Sequence, residues 1–404
     1  MKKRIFISMH YMELGGAEMS LIGLLQALDY SKYDVDLFVH SHQGELMQFI
    51  PKEVNLLPEI KAYSMIEKPM IEVLRAGYLR ILIARLKAKW QFERYLKKNG
   101  IKESAAIFQY VGDAVTPFLP SLKYLGEYDL AISFLNPHNI VRDKVKAKKK
   151  ICWIHTDYTR IDVNVEQELP VWSSYNHVTS ISPDVTETFL HVFPSLKDKI
   201  VEMENILSTK FVRKRAEEYN VDLNDNKKVV NLLSVGRFCE AKNYDNVPDI
   251  CRRINALLSK QNSQFSVRWF LIGYGNEELI QQRIREAGME EYVIILGKRS
   301  NPYPYMRACD IYAQPSRYEG KSVTVREAQM LCKPVVVTDY PTAKSQVQNG
   351  IDGVIVPMDN EGCAKGIADF IQNPELQTKI VGYLQIHDYG NMDEAKKIDQ
   401  LIEA

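Results

Sequence analysis

The sequence has few cysteines and places none of them in a pattern that is typical of a metal site. Its six cysteines are scattered along 404 residues without a CxxC pair. Because disulfide frameworks and structural zinc sites need closely spaced cysteines, this scatter argues against both and is typical of a reducing compartment. The eight histidines show no spacing of metal ligands either. We therefore expect neither disulfides nor a structural zinc ion.

The sequence also lacks an excess of one charge and long apolar runs. Its 52 Lys and Arg residues balance 51 Asp and Glu residues, which gives a formal net charge of +1. Without a global positive field the chain has no general attraction for nucleic acid, so a charged ligand must bind at a local patch. No stretch approaches the ~18 apolar residues of a membrane span, and the apolar run after the basic start is too broken for a signal peptide. These absences predict a soluble, cytoplasmic protein without a nucleic-acid partner.

Short β-branched runs alternate with longer amphipathic segments along the chain. This alternation predicts α/β domains with parallel sheets and helices on both faces. The polar stretch 203–228 divides the runs into two groups. We therefore predict two doubly wound domains, 1–203 and 204–385, which face each other across a cleft, and a helix over 386–404. The predicted strands are 4–9, 35–40, 129–134, 151–154, 177–181, 229–235, 267–272, 292–296, 310–313, 334–338 and 353–356.

The unusual loops of the chain all follow predicted strands. Ligands of open α/β sheets bind beyond the carboxyl ends of the strands, so this agreement predicts one cleft between the domains. The loops contain Gly15 and Gly16, Asn136 and His138, His155 and Asp157, Gly236 and Arg237, Gly273 to Gly275, Glu319 to Ser322, and Asp339 to Pro341.

Two glutamates, Glu319 and Glu327, are eight positions apart. One interpretation is a turn before a capped helix, since Thr324 and Glu327 fit a capping box. On a helix this spacing corresponds to ~12 Å along the axis, whereas the two carboxyl groups of a glycosidase lie within ~5–9.5 Å of each other. The spacing therefore favours the two ends of a long ligand such as a nucleotide sugar. A carboxylate at each end would accept hydrogen bonds from hydroxyl groups of the ligand, and backbone N–H groups of 320–323 would hold the diphosphate.

Two cations, Arg237 and Lys242, lie five positions apart in a loop that follows a predicted strand. They could stabilise the negative charge of a leaving diphosphate without a metal, although a solvated loop has the same composition. Gly273 and Gly275 form a truncated dinucleotide fingerprint, because Glu278 replaces its third glycine. An NAD-dependent dehydrogenase is therefore disfavoured.

Two further patterns have structural interpretations. Asp34 and Asp36 match a DxD metal site, but they open a predicted strand, which favours a solvated strand start. His155 ends a strand in the first domain, where it could bind a sugar, although a single loop histidine is more often structural.

Together these segments resemble the retaining glycosyltransferases of family 4, which have the GT-B fold. The resemblance is almost continuous over residues 229–373, whereas in the first domain it is confined to two loops, as expected for recognition of a variable acceptor. The matching motifs are Glu319-x7-Glu327, Gly236-Arg237 with Lys242, Gly273-x-Gly275, Gly15-Gly-Ala-Glu18 and Trp153-Ile-His155.

The resemblance implies a role for each matching position. Glu319 would contact the donor sugar, Glu327 the ribose, and Arg237 with Lys242 the diphosphate, without a metal or other cofactor. The anomeric configuration would be retained by front-face attack, in which the leaving phosphate helps to deprotonate the acceptor. Further donor-binding positions would be Gly15, Gly16, Gly236, Gly273, Tyr274, Gly275, Lys298, Arg299, Gly320, Lys321, Ser322 and Val323.

The first domain would bind the acceptor. His155 would lie near both the sugar and the acceptor, with Asn136, His138 and Asp157 on the acceptor side, and the terminal helix would return to this domain. The sequence departs from the family at Lys321-Ser322, where an apolar residue followed by Gly or Pro is common, and at Asn243, where glycine is common. The extra cation at Lys321 could bind phosphate or an acidic group of the donor sugar.

A basic segment from Arg75 to Lys98 contains eight Arg and Lys residues but Glu93 as its one acidic residue. Leu74, Tyr78, Leu82 and Leu86 recur at helical spacing, which predicts an apolar face. Basic side chains can lie at a bilayer surface, although an ordinary surface helix has similar features. We hypothesise peripheral binding to the anionic inner face of the cell membrane, where lipid-linked acceptors would be found.

The sequence therefore predicts a hexosyltransferase that uses a nucleotide-diphosphate sugar, with UDP favoured over GDP. Its acceptor would be a glycan or lipid-linked molecule in the synthesis of bacterial surface polysaccharide, such as capsule, or glycolipid. Two alternatives remain: a non-catalytic protein that binds sugar nucleotides, and a GT-B enzyme that acts on a sugar phosphate.

Overall fold

The apolar runs of the sequence form the strands of two parallel sheets. The computed structural model describes residues 2–13, 15–159, 161–223, 228–261 and 263–403. These residues form two compact units. The first comprises Met1–Leu207 and Asn391–Ala404, and the second comprises Ser208–Gly390. The predicted divisions fall after residues 203 and 385.

The first unit contains a seven-stranded sheet. Its strands are β1 (Lys3–Met9), β2 (Tyr33–Val39), β3 (Asn55–Leu56), β4 (Glu127–Ser133), β5 (Lys146–Ile154), β6 (His177–Ser180) and β7 (Ile200–Glu202). They lie parallel in the order β3-β2-β1-β4-β5-β6-β7. In β1, Ile5 pairs with Val35 on one side and Leu130 on the other. Five consecutive residues of β1 are buried, as expected for a parallel strand covered on both faces.

The second unit contains a six-stranded parallel sheet. Its strands are β8 (Val229–Val235), β9 (Ser266–Ile272), β10 (Val293–Gly297), β11 (Ile311–Gln314), β12 (Val335–Thr338) and β13 (Val354–Val356). They lie in the order β10-β9-β8-β11-β12-β13. The strand order therefore reverses between β8 and β11, where open α/β sheets bind their ligands. The buried core of this unit includes Trp269, Leu232 and Ile254.

Helices connect most of the strands. Those of the first half are α1 (Gly16–Ala27), α2 (Lys61–Ser64), α3 (Met70–Arg75), α4 (Leu79–Asn99), α5 (Ala106–Val115), α6 (Asn139–Lys144), α7 (Val165–Ser173) and α8 (Pro183–Val192). The later helices are α9 (Thr209–Ala216), α10 (Val247–Lys260), α11 (Glu277–Ala287), α12 (Tyr303–Ala308), α13 (Val323–Met330), α14 (Ala343–Gln346), α15 (Asn360–Ile371), α16 (Pro374–Ile386) and α17 (Lys397–Glu403).

Every predicted strand overlaps an observed one, but the sequence did not predict the edge strands β3 and β7. These strands have two and three residues, too few to give a periodic pattern. Strand β5 begins at Lys146 rather than at 151, because its lysine-rich start pairs with β4 although it is polar. Part of the predicted linker 203–228 forms α9, and 224–227 lie outside the described residues.

Two predicted helical segments are interrupted. Helix α3 ends at Arg75, and α4 begins at Leu79 after Gly77, whose φ of 80° is left-handed. The basic segment is therefore not one helix from residue 75. The terminal helix predicted from 386 begins at Lys397, after a 3₁₀ turn at Met392–Lys396.

The aspartates at the start of β2 have structural partners. The Asp36 carboxylate accepts hydrogen bonds from Asn55 Nδ2 at 2.7 Å and Tyr128 Oη at 2.5 Å. It also lies 3.4 Å from Arg4 Nη2. These contacts join β2 to β3, β4 and β1, so Asp36 is not solvated as expected, whereas Asp34 is 62% exposed.

We expect Gly23→Ala to destabilise the first unit. An added Cβ at Gly23, inside α1, would lie 1.8 Å from the carbonyl oxygen of Ile206. Overpacking of this kind costs about 1–3 kcal/mol. Thermal unfolding followed by circular dichroism should show a lower midpoint than that of the native protein.

Gly382→Ala is the matched control for this substitution. Gly382 also lies within a helix, α16. Among the residues that the structure describes, none beyond its chain neighbours and the backbone of this helix has a heavy atom within 4 Å of the added Cβ. Alanine should stabilise this position by up to about 1 kcal/mol through its higher helix propensity. Equal melting midpoints for the two variants would contradict the packing argument.

Candidate functional site

The predicted donor-binding loops of the second unit meet at the carboxyl ends of β8 and β11. These strands are neighbours, with Ile311 paired to Leu232 and Tyr312 paired to Leu233. Their loops therefore leave the same edge of the sheet at the point where the strand order reverses. A ligand bound in this crevice would contact both loops.

A charge pair connects the two loops. Lys242 Nζ lies 2.6 Å from Glu319 Oε1, and the two side chains are only 18% and 12% exposed. Lys242 ends a 3₁₀ turn, and the next residue, Asn243, has a φ of 60°. Glycine is favoured in this left-handed region and asparagine tolerates it, which explains why asparagine can replace the glycine that is common here. The sequence predicted both charged residues but not their contact.

Two buried polar side chains that the sequence did not predict also bind Glu319. Its Oε1 accepts hydrogen bonds from Ser316 Oγ at 2.6 Å and from Gln314 Nε2 at 3.0 Å. Its backbone oxygen accepts one from Thr342 Oγ1 at 3.0 Å. The signal in the sequence was Gln314 at the end of an otherwise apolar strand, followed two positions later by Ser316.

Glu327 lies in a different environment from Glu319. Its side chain belongs to α13, is 3% exposed, and accepts a hydrogen bond from Tyr303 Oη at 2.7 Å. Burial raises the pKa of Glu327 to about 7, although the hydrogen bond from Tyr303 lowers it in part. Thr324 lies inside α13, so the predicted capping box is not formed.

Glycines bring the first two loops of this sheet edge close together. An added Cβ at Gly273 would lie 1.8 Å from the Gly236 carbonyl oxygen. The backbone of Phe238 pairs with Gly275, which has a φ of 134°. Arg237 is exposed at the start of this loop. The glycines of the truncated fingerprint therefore allow close backbone packing.

An exposed tyrosine at the same edge lies beside cations. Lys298 Nζ is 5.4 Å from the ring centroid of Tyr274, which is 42% exposed. Arg299 lies 6.0 Å from the ring centroid of Tyr305. Aromatic faces and neighbouring cations can stack on a planar base.

The segment between Glu319 and Glu327 is hydrogen-bonded to α14. The Ser322 N–H donates to Gln346 Oε1 at 3.0 Å, so this N–H has a partner within the protein. Gln346 Nε2 in turn donates to the carbonyl oxygen of Ser322. Lys321 is half-buried, and Val323 begins α13. Gly320 precedes them in the same loop.

In the first unit, the predicted glycines lie at the start of α1. Gly15 is the N-cap residue and Gly16 is the first helical residue. An added Cβ at Gly15 would lie 2.2 Å from Glu18 Oε2. The buried carboxylate of Glu18 therefore lies against the first residues of the helix. Leu14 lies outside the described residues.

The predicted acceptor-side residues follow β4 and β5. His155 Nε2 lies 3.1 Å from the carbonyl oxygen of Phe134, and burial lowers the pKa of His155 to about 4. His138 is 2% exposed, its Nδ1 lies 2.8 Å from Ser133 Oγ, and burial lowers the pKa of His138 to about 3. Both imidazoles are therefore neutral near pH 7. Asn136 precedes a cis proline, and Asp157 Oδ1 accepts a hydrogen bond from the Thr159 N–H at 2.9 Å.

The pKa of Glu327 predicts a pH-dependent stability. The folded protein keeps this proton up to about pH 7, whereas an ordinary glutamate releases it near 4.5. The stability contributed by Glu327 is therefore complete below 4.5 and decreases as the pH rises through 7. The side chain introduced by Glu327→Gln cannot ionise, but its oxygen can still accept a hydrogen bond from Tyr303 Oη.

We expect the free energy of unfolding of Glu327→Gln, relative to the native protein, to rise by up to about 3 kcal/mol between about pH 5 and about pH 8. Urea unfolding at several pH values measures this difference. Glu375→Gln, at the exposed start of α16, is the matched control and should show no such rise. Parallel pH curves for Glu327→Gln and the native protein would contradict the assignment.

Comparisons with known proteins agree with the fold and match part of the second unit to a family. Residues 215–387 match the family of glycosyl transferases group 1. A segment of 152 residues is 29% identical to the N-acetylgalactosamine-N,N'-diacetylbacillosaminyl-diphospho-undecaprenol 4-alpha-N-acetylgalactosaminyltransferase of Campylobacter jejuni, and covers 36% of this chain and 38% of that protein. A segment of 162 residues is 24% identical to the amylovoran biosynthesis glycosyltransferase AmsD of Erwinia amylovora, over 39% of this chain and 44% of that protein. The matched segments thus span less than half of each relative.

Among solved structures, Alr3699/HepE of Anabaena in complex with UDP and glucose has a TM-score of 0.66 over 99% of each chain, at 17% identity. At this identity the likeness shows the fold alone. With the two parallel sheets, it confirms the predicted GT-B fold. The family match supports the predicted enzyme class, a glycosyltransferase, over residues 215–387. Residues 215–387, within the second unit, are therefore similar to the glycosyl transferases group 1 family, over less than half of the chain.

Proposed function

We propose that the protein is a retaining, metal-independent glycosyltransferase. It moves a hexose from a nucleotide-diphosphate sugar, UDP- in preference to GDP-, to a glycan or lipid-linked acceptor. The pathway is the synthesis of a bacterial surface polysaccharide, such as capsule, or glycolipid. The observation that supports this most strongly is the contact of Lys242 with Glu319 at the carboxyl ends of β8 and β11.

The charge pair suits the two parts of an activated sugar. Glu319 offers carboxylate oxygens to sugar hydroxyl groups, and the Lys242 ammonium group can stabilise a diphosphate. Arg237 supplies a second cation from the exposed start of the same loop. Fixed cations of this kind stabilise the charge that develops on a leaving diphosphate.

The remaining donor contacts follow from the same sheet edge. Tyr274, with Lys298 beside its ring, offers a face for the base. Glu327 offers its carboxyl group to the ribose hydroxyls. The UDP complex of the Anabaena structure supports UDP as the nucleotide, since that protein has the same fold.

In the proposed reaction, the bond between the anomeric carbon and the diphosphate oxygen breaks on the same face on which the acceptor bond forms. The proton of the acceptor hydroxyl passes to the leaving phosphate, so no protein base is required. Because neutral His155 donates through Nε2 to the Phe134 carbonyl oxygen, its Nδ1 can accept a hydrogen bond near the sugar without adding charge. Asn136, His138 and Asp157 remain the proposed acceptor side.

We also propose that the first unit binds an anionic membrane through α4. The predicted apolar face through Leu74, Tyr78, Leu82 and Leu86 is wrong, because the break at Gly77 separates Leu74 from α4, and Tyr78 and Leu82 are half-buried. The exposed apolar residues of α4 instead form another stripe, spaced four, three and four positions apart. They are Leu79 at 55% exposed, Ile83 at 65%, Leu86 at 52% and Trp90 at 54%.

The rest of α4 explains why this stripe faces outward. Ala88 packs with Ala106 and Tyr110 in a buried cluster on the opposite face. Exposed cations, including Arg80, Lys87 and Lys97, flank the stripe. Arg85 points inward and donates to the carbonyl oxygen of Met65 at 2.9 Å. An apolar stripe with basic flanks matches the chemistry of an anionic bilayer surface.

Substitution of the charge pair tests the proposed reaction. Glu319→Ala and Lys242→Ala should each reduce UDP release from UDP-glucose by about a hundredfold or more. Melting midpoints should show that both variants remain folded. Glu286→Ala removes one partner of an exposed ion pair, Arg283 Nη1 to Glu286 Oε2 at 2.8 Å, and should keep the native rate.

The donor panel separates the proposal from its alternatives. The assay includes UDP-glucose, UDP-N-acetylglucosamine, GDP-mannose and glucose 1-phosphate, with thermal shifts measured for each. Stabilisation by UDP-sugars without turnover would indicate a non-catalytic binding protein. Turnover of the sugar phosphate would indicate the other GT-B class. Native rates in both charge-pair variants would refute the site, and a strict requirement for manganese would refute metal independence.

Vesicle co-sedimentation tests the membrane proposal. The triple variant Arg80→Gln, Lys87→Gln, Lys97→Gln should bind vesicles rich in phosphatidylglycerol at least about tenfold more weakly, since each cation contributes ~1 kcal/mol. Ile83→Asn should also weaken binding. Ile386→Asn, at an isoleucine of the second unit that is 80% exposed, is the control and should not. Equal binding by the native protein and the triple variant would refute the proposal.

A further inference from the structure

A buried hydrogen-bond relay lies directly behind Glu319. Its two members nearest to the carboxylate, Gln314 and Ser316, have no exposed surface. Gln314 ends β11, whose other three residues are Ile311, Tyr312 and Ala313. A buried amide costs free energy unless its oxygen and nitrogen both have partners. The partners of Gln314 therefore indicate how its side chain is oriented.

The relay begins at the end of β8. The Val235 N–H lies 3.4 Å from Tyr312 Oη, and the Tyr312 hydroxyl donates to Gln314 Oε1 at 2.8 Å. Because Oε1 faces this hydroxyl, Nε2 points in the opposite direction. Its two hydrogens reach Ser316 Oγ at 2.8 Å and Glu319 Oε1 at 3.0 Å. The Ser316 hydroxyl then donates to Glu319 Oε1 at 2.6 Å.

These contacts converge on one oxygen of Glu319. Oε1 accepts hydrogen bonds from Gln314, Ser316 and Lys242, the last at 2.6 Å. A carboxylate held through one oxygen by three donors has a defined orientation. Its second oxygen, Oε2, is then the one that can accept a hydrogen bond from a ligand. The relay also joins the end of β8, which precedes the Arg237 loop, to the end of β11.

We propose that Gln314 is a positioning residue for the donor sugar. Its amide holds Glu319 so that Oε2 meets a sugar hydroxyl, and Tyr312 fixes the amide in the required orientation. This inference rests on the proposed function, because it assigns to Glu319 the contact with the sugar. Gln314 does not touch the substrate and acts through Glu319.

Gln314→Met tests the role, since methionine keeps the length and burial of the side chain but has no amide donor. With UDP-glucose as the probe, kcat for UDP release should fall by about tenfold, the size expected for one hydrogen bond to a charged group. KM for UDP-glucose should change by less than about twofold if the contact is realised mainly in the transition state.

A matched control separates positioning from stability. Gln329 is 1% exposed on α13, and its Nε2 donates to the carbonyl oxygen of Asp352 at 3.3 Å. Gln329→Met therefore removes a buried amide of the same kind away from Glu319. It should lower the melting midpoint about as much as Gln314→Met and keep the native kcat.

Tyr312→Phe provides a second variant that removes only the hydroxyl group. It should also lower kcat, but by a smaller factor than Gln314→Met does. A native kcat in Tyr312→Phe and Gln314→Met would refute the positioning role while leaving the proposed function intact. So would an equal loss of kcat in Gln329→Met. No UDP release by the native protein would instead refute the proposed function on which the inference rests.

Discussion

The contact between Lys242 Nζ and Glu319 Oε1, at 2.6 Å, is the interaction on which the candidate site depends. Both groups are largely removed from water, which costs free energy for each charge unless the partner and further hydrogen bonds compensate. Ser316 and Gln314 supply those further bonds to Glu319. The pair therefore presents an ammonium group whose anionic partner is already in place. In the proposed reaction, a ligand diphosphate would share this fixed cation with Glu319, and a fixed cation needs no reorganisation to stabilise the charge of a leaving group.

Strand order explains why these groups meet. Lys242 and Glu319 are 77 positions apart, and they approach because β8 and β11 are neighbours in the sheet. The sequence predicted both loops, since apolar runs followed by glycine or charged residues mark the ends of parallel strands. It could not predict strand order or register, which depend on packing between distant segments. For that reason the relay through Tyr312 and Gln314, and the contact of Glu327 with Tyr303 on α12, were found only in the structure.

The same distinction holds in the first unit. Strands such as β1 were predictable because most of their residues are buried on both faces and therefore apolar. The short edge strands, and the break at Gly77, leave little trace in hydrophobic periodicity. That break places Leu74 on α3 instead of α4. The predicted apolar face was wrong although the helix was expected, because the pattern was counted across a point where the backbone turns.

The two glutamates that first suggested the function show how environment, rather than spacing, determines chemistry. Their spacing predicted two positions along one ligand, and in the structure their partners differ. Glu319 is bound by a lysine ammonium group, whereas Glu327 faces a tyrosine hydroxyl in a buried pocket that raises the pKa of this glutamate to about 7. Near neutral pH, Glu327 can therefore hold a proton and donate it to a ligand oxygen as well as accept from a hydroxyl. In the proposed reaction, Glu319 lies with the cations at the sugar and diphosphate, and Glu327 binds the ribose without placing a second full negative charge beside the nucleotide. The two glutamates of the Glu-x7-Glu pattern therefore differ in charge near neutral pH, because their partners differ.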